Sequence, residues 1–125
     1  MNFQSLILVF IGGGIGSVVR YGIGKAVQSQ LQWNFPLATF IANIVSCAIM
    51  AFTLFYFKDK PAFENIFKTL ILIGFCGGLS TFSTFSFETF QLLEQGKKGF
   101  ALLNVVLSVA MCLGVFYLFL LKPKT

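Results

Sequence analysis

Four stretches of this 125-residue chain carry no charged side chain: 1–19, 34–57, 69–87 and 99–121. They are 19, 24, 19 and 23 residues long, and about 20 apolar residues cross the hydrocarbon of a bilayer as a helix. Water is absent there, so each segment must satisfy its own backbone groups, which a helix does. The expectation is an all-α integral membrane protein with four transmembrane helices. A single four-helix domain would cover residues 1–125, with spans at 3–25, 35–57, 66–95 and 99–121.

Composition points the same way. Hydrophobic residues make up 57% and charged residues 10%, against about 25% charged in soluble domains. The N-terminus has no basic residue ahead of its apolar run and no small-residue cleavage pattern, so the first run reads as a retained span. Cys47, Cys76 and Cys112 all lie inside apolar runs. An odd number without ligand spacing reads as small packing residues, with neither a disulfide framework nor a metal site. The net charge of +5 comes from nine basic residues set mostly near the ends of the runs. That is the placement of lipid-surface anchors, and no nucleic-acid partner is expected.

Polar loops join the runs. One spans Lys25 to Asn34 and ends near Pro36. The second holds Lys58, Asp59, Lys60, Pro61, Glu64 and Lys68, and the third is Glu94-Gln95-Gly96-Lys97-Lys98. With the N-terminus placed inside, Lys58, Lys60, Lys68, Lys122 and Lys124 lie inside, and Arg20, Lys25, Lys97 and Lys98 outside, five against four. Orientation follows such a difference, and here it nearly vanishes. Insertion in both orientations, giving an antiparallel pair, and a weakly biased single orientation both stay open. Four helices shield a transmembrane path poorly alone, which favours an oligomer. Gly12-x-x-x-Gly16 and Gly74-x-x-x-Gly78 are close-packing patterns that suit contact within one subunit or between two.

The glycine run 12–24 closes no nucleotide fingerprint. Ser17 and Val19 stand where G-x-G-x-x-G needs its last glycine. Arg20 follows it, either as a snorkelling anchor or as a cation at a pore entrance. In the second run Thr39, Asn43 and Ser46 share one helix face. Asn43 serves either an interhelical bond or an anion, through its two N–H donors. In the fourth run Asn104, Ser108 and Cys112 repeat every four residues and form a polar stripe.

The third run is the least lipid-like. It reads Gly74-Phe-Cys-Gly-Gly-Leu-Ser-Thr-Phe-Ser-Thr-Phe-Ser-Phe-Glu88. Gly77 and Gly78 weaken a helix, and a break there would free carbonyls for which a cation is one candidate partner. Phe82 and Phe85 share a face, with Ser83 and Thr84 between them and Ser86 and Thr89 following. A ring edge is electropositive, and weak sites in series are what conduction requires. The competing account is a Phe-rich helix contact whose hydroxyls bond back to their own helix. Glu88 is the sole acidic group at the edge of a run, suited to capping, pairing with Arg20 or a lysine, or shaping a pore mouth.

Gly13-x-x-Gly16-x-x-x-Arg20-Tyr21, Asn43 and Gly74-Phe75-Cys76-Gly77-Gly78-x-Ser80-Thr81-Phe82-Ser83-Thr84-Phe85 together resemble the Fluc (CrcB-type) fluoride channels. The resemblance covers essentially the whole chain. It implies a third helix broken mid-membrane and an antiparallel, dual-topology homodimer with two pores in the cell (inner or plasma) membrane. The implied function is passive export of cytoplasmic fluoride, which relieves fluoride toxicity, with no enzymatic activity. It implies a structural Na+ at the dimer centre, held by backbone carbonyls of Gly77 and Ser80. Fluoride pore residues would be Asn43, Phe82, Phe85, Ser83, Thr84 and Ser108, with Arg20 and Glu88 at the vestibule or assembly surface. Ser80-Thr81 departs from the Thr-Thr common in that family, which matters little to a main-chain ligand. The alternative is a small proton-coupled multidrug antiporter. It needs a membrane-embedded carboxylate, and the first, second and fourth runs contain none.

Overall fold

The computed structural model describes residues 2–30, 35–57, 59–60 and 65–121. Among them every regular element is helical. Helix α1 runs Phe3–Gln30 and α2 runs Leu37–Tyr56. Helix α3 is a π-helical stretch, Lys68–Cys76, continued by a short α-helical turn, Gly77–Leu79. Helix α4 is Phe82–Glu94 and α5 is Lys98–Leu120. Asn34, Lys58, Pro61, Glu64, Lys122 and Lys124 of the expected loops lie outside the described residues.

Four helical stretches are long and apolar enough to cross a membrane: Phe3–Gln30, Leu37–Tyr56, Asn65–Glu94 and Lys98–Phe119, with mean hydropathy 1.8, 2.0, 1.6 and 2.3. Helix α1 continues to Gln30, beyond the boundary expected at residue 25. Lys25-Ala-Val-Gln-Ser-Gln30 contains no glycine or proline to stop it. Helix α2 starts behind Pro36, which needs no N–H partner.

Between α3 and α4 the backbone opens. Ser80 (φ −96°, ψ 144°) and Thr81 (φ −147°, ψ 123°) are extended. The α4–α5 turn closes by the opposite device. Gly96 takes φ 76°, its N–H donates to the Leu93 carbonyl at 3.1 Å, and Lys97 N–H reaches the Leu92 carbonyl at 2.8 Å. Those two bonds form a Schellman cap, whose left-handed position suits glycine.

Packing divides the bundle into two tight pairs, α1 against α3 and α2 against α5, with α2 also touching α1 and α3, and α4 touching α5. The α1–α3 seam is built from backbone. A Cβ on Gly12 would strike the Leu70 carbonyl and stand 2.9 Å from Phe75 N. One on Gly16 would strike the Phe75 carbonyl, and one on Gly78 the Gly13 carbonyl. The two glycine patterns therefore pack against each other within one chain. In lipid such seams supply dispersion contact that hydrophobic burial does not.

The buried set follows from this. It holds small residues such as Ala42, Ala51 and Ala101, polar ones such as Ser46, Thr53, Asn104 and Ser108, and the leucines Leu79 and Leu92, while most large apolar side chains face outward. Outward apolar faces suit a hydrocarbon solvent.

Candidate functional site: an open cavity between α2, α4 and α5

The extended Ser80–Thr81 pair stands beside α2 and α5, and a cavity of about 260 Å³, open on one side, lies among them. Helix α2 contributes Asn43 and Cys47, one turn apart. Helix α5 contributes Ser108, Val109 and Cys112, and the break with the start of α4 contributes Ser80, Thr81, Phe82 and Phe85. The Phe82 and Phe85 ring centroids are 5.9 Å apart with planes tilted 37°.

Of the residues singled out in the sequence, the cavity brings together Asn43, Phe82, Phe85 and Ser108. Ser83 and Thr84 lie on α4 away from its wall, and Ser83 shares a 2.9 Å hydroxyl contact with Thr81. Cys47 and Thr81 line the wall without having been marked. Cys47 follows Asn43 by four residues, so helical spacing alone could have found it.

The break is held by hydrogen bonds from three directions. The Cys76 carbonyl accepts from Ser80 N–H at 3.0 Å, Ser80 Oγ at 2.8 Å and the buried Ser46 Oγ at 3.1 Å. The Cys76 thiol returns a contact to the Ser46 carbonyl at 3.5 Å. Arg20 Nε donates to the Gly78 carbonyl at 3.1 Å.

A second network ties α4 to α5. Asn104 is 1% exposed. Its Nδ2 donates to Thr89 Oγ1 at 2.8 Å, and that hydroxyl donates to the Phe85 carbonyl at 2.8 Å. Ser108 Oγ donates to Asn104 Oδ1 at 3.3 Å.

A hydroxyl has a single proton, so these bonds decide what the cavity offers an anion. The Ser80 proton is committed to Cys76 and the Ser108 proton to Asn104. Asn43 brings two N–H donors, and the Thr81–Ser83 pair holds two protons for one mutual bond. The rings of Phe82 and Phe85, whose edges are electropositive, complete the wall. Thr39 hydrogen-bonds the Glu88 carboxyl, whose Oε1 is buried without a partner.

Two groups bear on cation binding. Among the described residues no cluster of three or more His, Cys, Asp or Glu could hold a metal ion. The main-chain oxygens at the break are another matter. With Ser80 and Thr81 extended, the turn closes on the Ser80 N–H bond to the Cys76 carbonyl, and of the carbonyls that follow Gly78 accepts from Arg20. Neutral carbonyl oxygens are hard ligands and fit an alkali cation in chemistry.

The CrcB-like protein, Camphor Resistance (CrcB) family model matches residues 7–120. A fluoride-specific ion channel FluC 1 of Yersinia pestis is 42% identical over 120 residues, 93% of this chain and 94% of the relative. A fluoride-specific ion channel FluC of Klebsiella pneumoniae is 43% identical over 121 residues, 94% of each chain. One of Coxiella burnetii is 39% identical over 111 residues, 88% of this chain and 90% of the relative.

Proposed function

Because the chain belongs to the CrcB-like family, we infer that the cavity between α2, α4 and α5 is part of a fluoride path. The protein is a multi-pass membrane protein, and its activity is fluoride-selective ion conduction. The observation that carries the site reading is the meeting of Asn43, Phe82 and Phe85 in one open cavity. Amide N–H groups and ring edges replace the hydration of a small, hard anion without a fixed charge to trap it.

The direction of flow is set by the membrane. Fluoride enters as neutral HF and ionises in the more alkaline cytoplasm. A negative-inside potential then drives the anion outward with about 2.3 kcal/mol per 100 mV. The path needs no energy source beyond this to relieve fluoride toxicity.

Two finer features belong to the same proposal. The chain works as an antiparallel homodimer, supported by the near balance of charge between its two sides and by Phe82, which is 79% exposed on a single chain. A structural Na+ sits at the dimer centre, and its hard positive charge would stabilise the helix break. The carbonyls of Gly77 and Ser80 would hold it, one pair from each subunit. Ser46 and Ser80 fix the Cys76 carbonyl ahead of these ligands, and Arg20 holds Gly78. Arg20 and Glu88 lie toward the vestibule in this reading. Ser83 and Thr84 reach the path only through Thr81 or a partner subunit.

The test is fluoride efflux from loaded liposomes, followed with a fluoride electrode. Fluoride leaves, chloride is retained, and Asn43→Asp or Phe82→Ile slows the efflux. Efflux no faster than from empty vesicles, with folded protein and Na+ present, would overturn the reading.

A further inference from the structure

Cys47 and Cys112 stand on the same cavity wall. Cys47 stands one helical turn beyond Asn43 on α2, and Cys112 one turn beyond Ser108 on α5. These two helices pack side by side. Both thiols are free and half-buried, and both line the same cavity. Cys76 is placed elsewhere, buried with its thiol on the Ser46 carbonyl. The cavity thus has an amide–hydroxyl layer, Asn43 with Ser108, and a thiol layer beside it.

We infer that Cys47 and Cys112 form a two-thiolate site for a soft, thiophilic divalent cation of the mercuric kind, and that the bound ion closes the cavity to anions. Sulfur ligands select such ions over hard ones, which take oxygen. When a mercuric ion binds, two S–H bonds break and two S–Hg bonds form. The two protons leave through the open side of the cavity, and no electron is transferred. Two thiolates cancel the charge of the ion. The resulting neutral complex is tolerated beside Phe82, Phe85 and Val109, where an uncompensated charge would be costly. It sits one turn from Asn43 and obstructs the path by its bulk.

The blocking half of this inference rests on the fluoride reading of the cavity, whereas the binding half does not, so the two are measured separately. Purified full-length protein is titrated with mercuric chloride while the sulfur-to-mercury charge-transfer absorption is followed. The same protein in fluoride-loaded liposomes is assayed before and after mercuric addition, each variant against its own starting rate. The expected result is one mercuric ion per chain at the pair. Cys47→Ser or Cys112→Ser weakens binding by about 100-fold or more, because the second thiolate acts at high effective concentration. Cys76→Ala retains the site. Efflux falls on mercuric addition and recovers with a small dithiol. Alanine replaces serine in any variant that does not elute as folded protein. Binding that persists unchanged without both Cys47 and Cys112, or that is lost in Cys76→Ala, overturns the site. Binding at the pair with undiminished efflux overturns the block. Absent efflux before metal addition counts against the fluoride reading alone, and the absorption titration still decides the site.

Discussion

Arg20 on α1 donates its Nε proton to the Gly78 carbonyl of α3 at 3.1 Å, two residues before the extended backbone at Ser80. The bond ties a cation to the one place where the helical ladder of the third span stops. It gives Arg20 a third role beside snorkelling and anion attraction, that of holding the break from the α1 side.

Removing that bond is expected to loosen the break. Arg20→Met should cost about 1.5–3 kcal/mol, the range for hydrogen bonds to charged groups. Arg20→Lys should recover only part of it, since a compact ammonium does not reproduce the guanidinium fork. Thermal unfolding in detergent measures the loss.

The α1–α3 seam should tolerate no Cβ where backbone meets backbone. Gly16→Ala is expected to destabilise by about 1–3 kcal/mol through overpacking. Gly14→Ala, which meets nothing within 4 Å, should be neutral or slightly stabilising. Comparing the two midpoints in one unfolding assay separates seam packing from helix propensity.

The Asn104 network should matter for stability more than its lone serine does. Asn104→Leu removes the bonds to both Thr89 and Ser108 and is expected to cost about 1–3 kcal/mol. Ser108→Ala leaves the Asn104–Thr89 bond in place and should cost below about 1 kcal/mol. Equal losses in the two variants would show that the Asn104–Thr89 bond contributes nothing.

Assembly is tested by topology. Crosslinking in membranes should trap dimers, and both termini should be reachable from both membrane faces. Protection of all termini on a single face would end the antiparallel proposal.

Ion dependence is the last prediction. Replacing Na+ by a bulky organic cation should lower the unfolding midpoint of the dimer. Restoring Na+ should raise it logarithmically with concentration, as binding to the native state alone requires. A midpoint indifferent to Na+ would remove the structural cation from the proposal while leaving fluoride efflux to be judged on its own assay.

The four helices were legible because uncharged runs near the bilayer thickness leave the backbone little choice. The glycine patterns were legible as close-packing surfaces, but their partner was not. That Gly12 and Gly16 meet Leu70 and Phe75 depends on how two helices cross. The π-helical form of Lys68–Cys76 had no sequence signature, since its residues would suit an α-helix equally well. The end of α1 was placed too early because charge at Lys25 marks a lipid boundary, whereas a helix stops at a cap or breaker.

The sequence by itself determined the spans and the inventory of amides, hydroxyls and rings, whereas Gly77 and Gly78, read there as the weak point, stay helical and the backbone opens at Ser80 and Thr81. Tertiary structure alone decided which of them share a wall. Helical spacing puts residues on a face but says nothing of what that face meets. Asn104 meets Thr89 across fifteen positions, and Cys47 shares a cavity wall with Cys112 across sixty-five. It also decided where each proton points. Ser108 reads in the sequence as a pore hydroxyl, yet it gives its only proton to Asn104, as Ser80 gives its own to Cys76. Asn43, with two protons on one nitrogen, is thereby left as the principal N–H donor in the cavity.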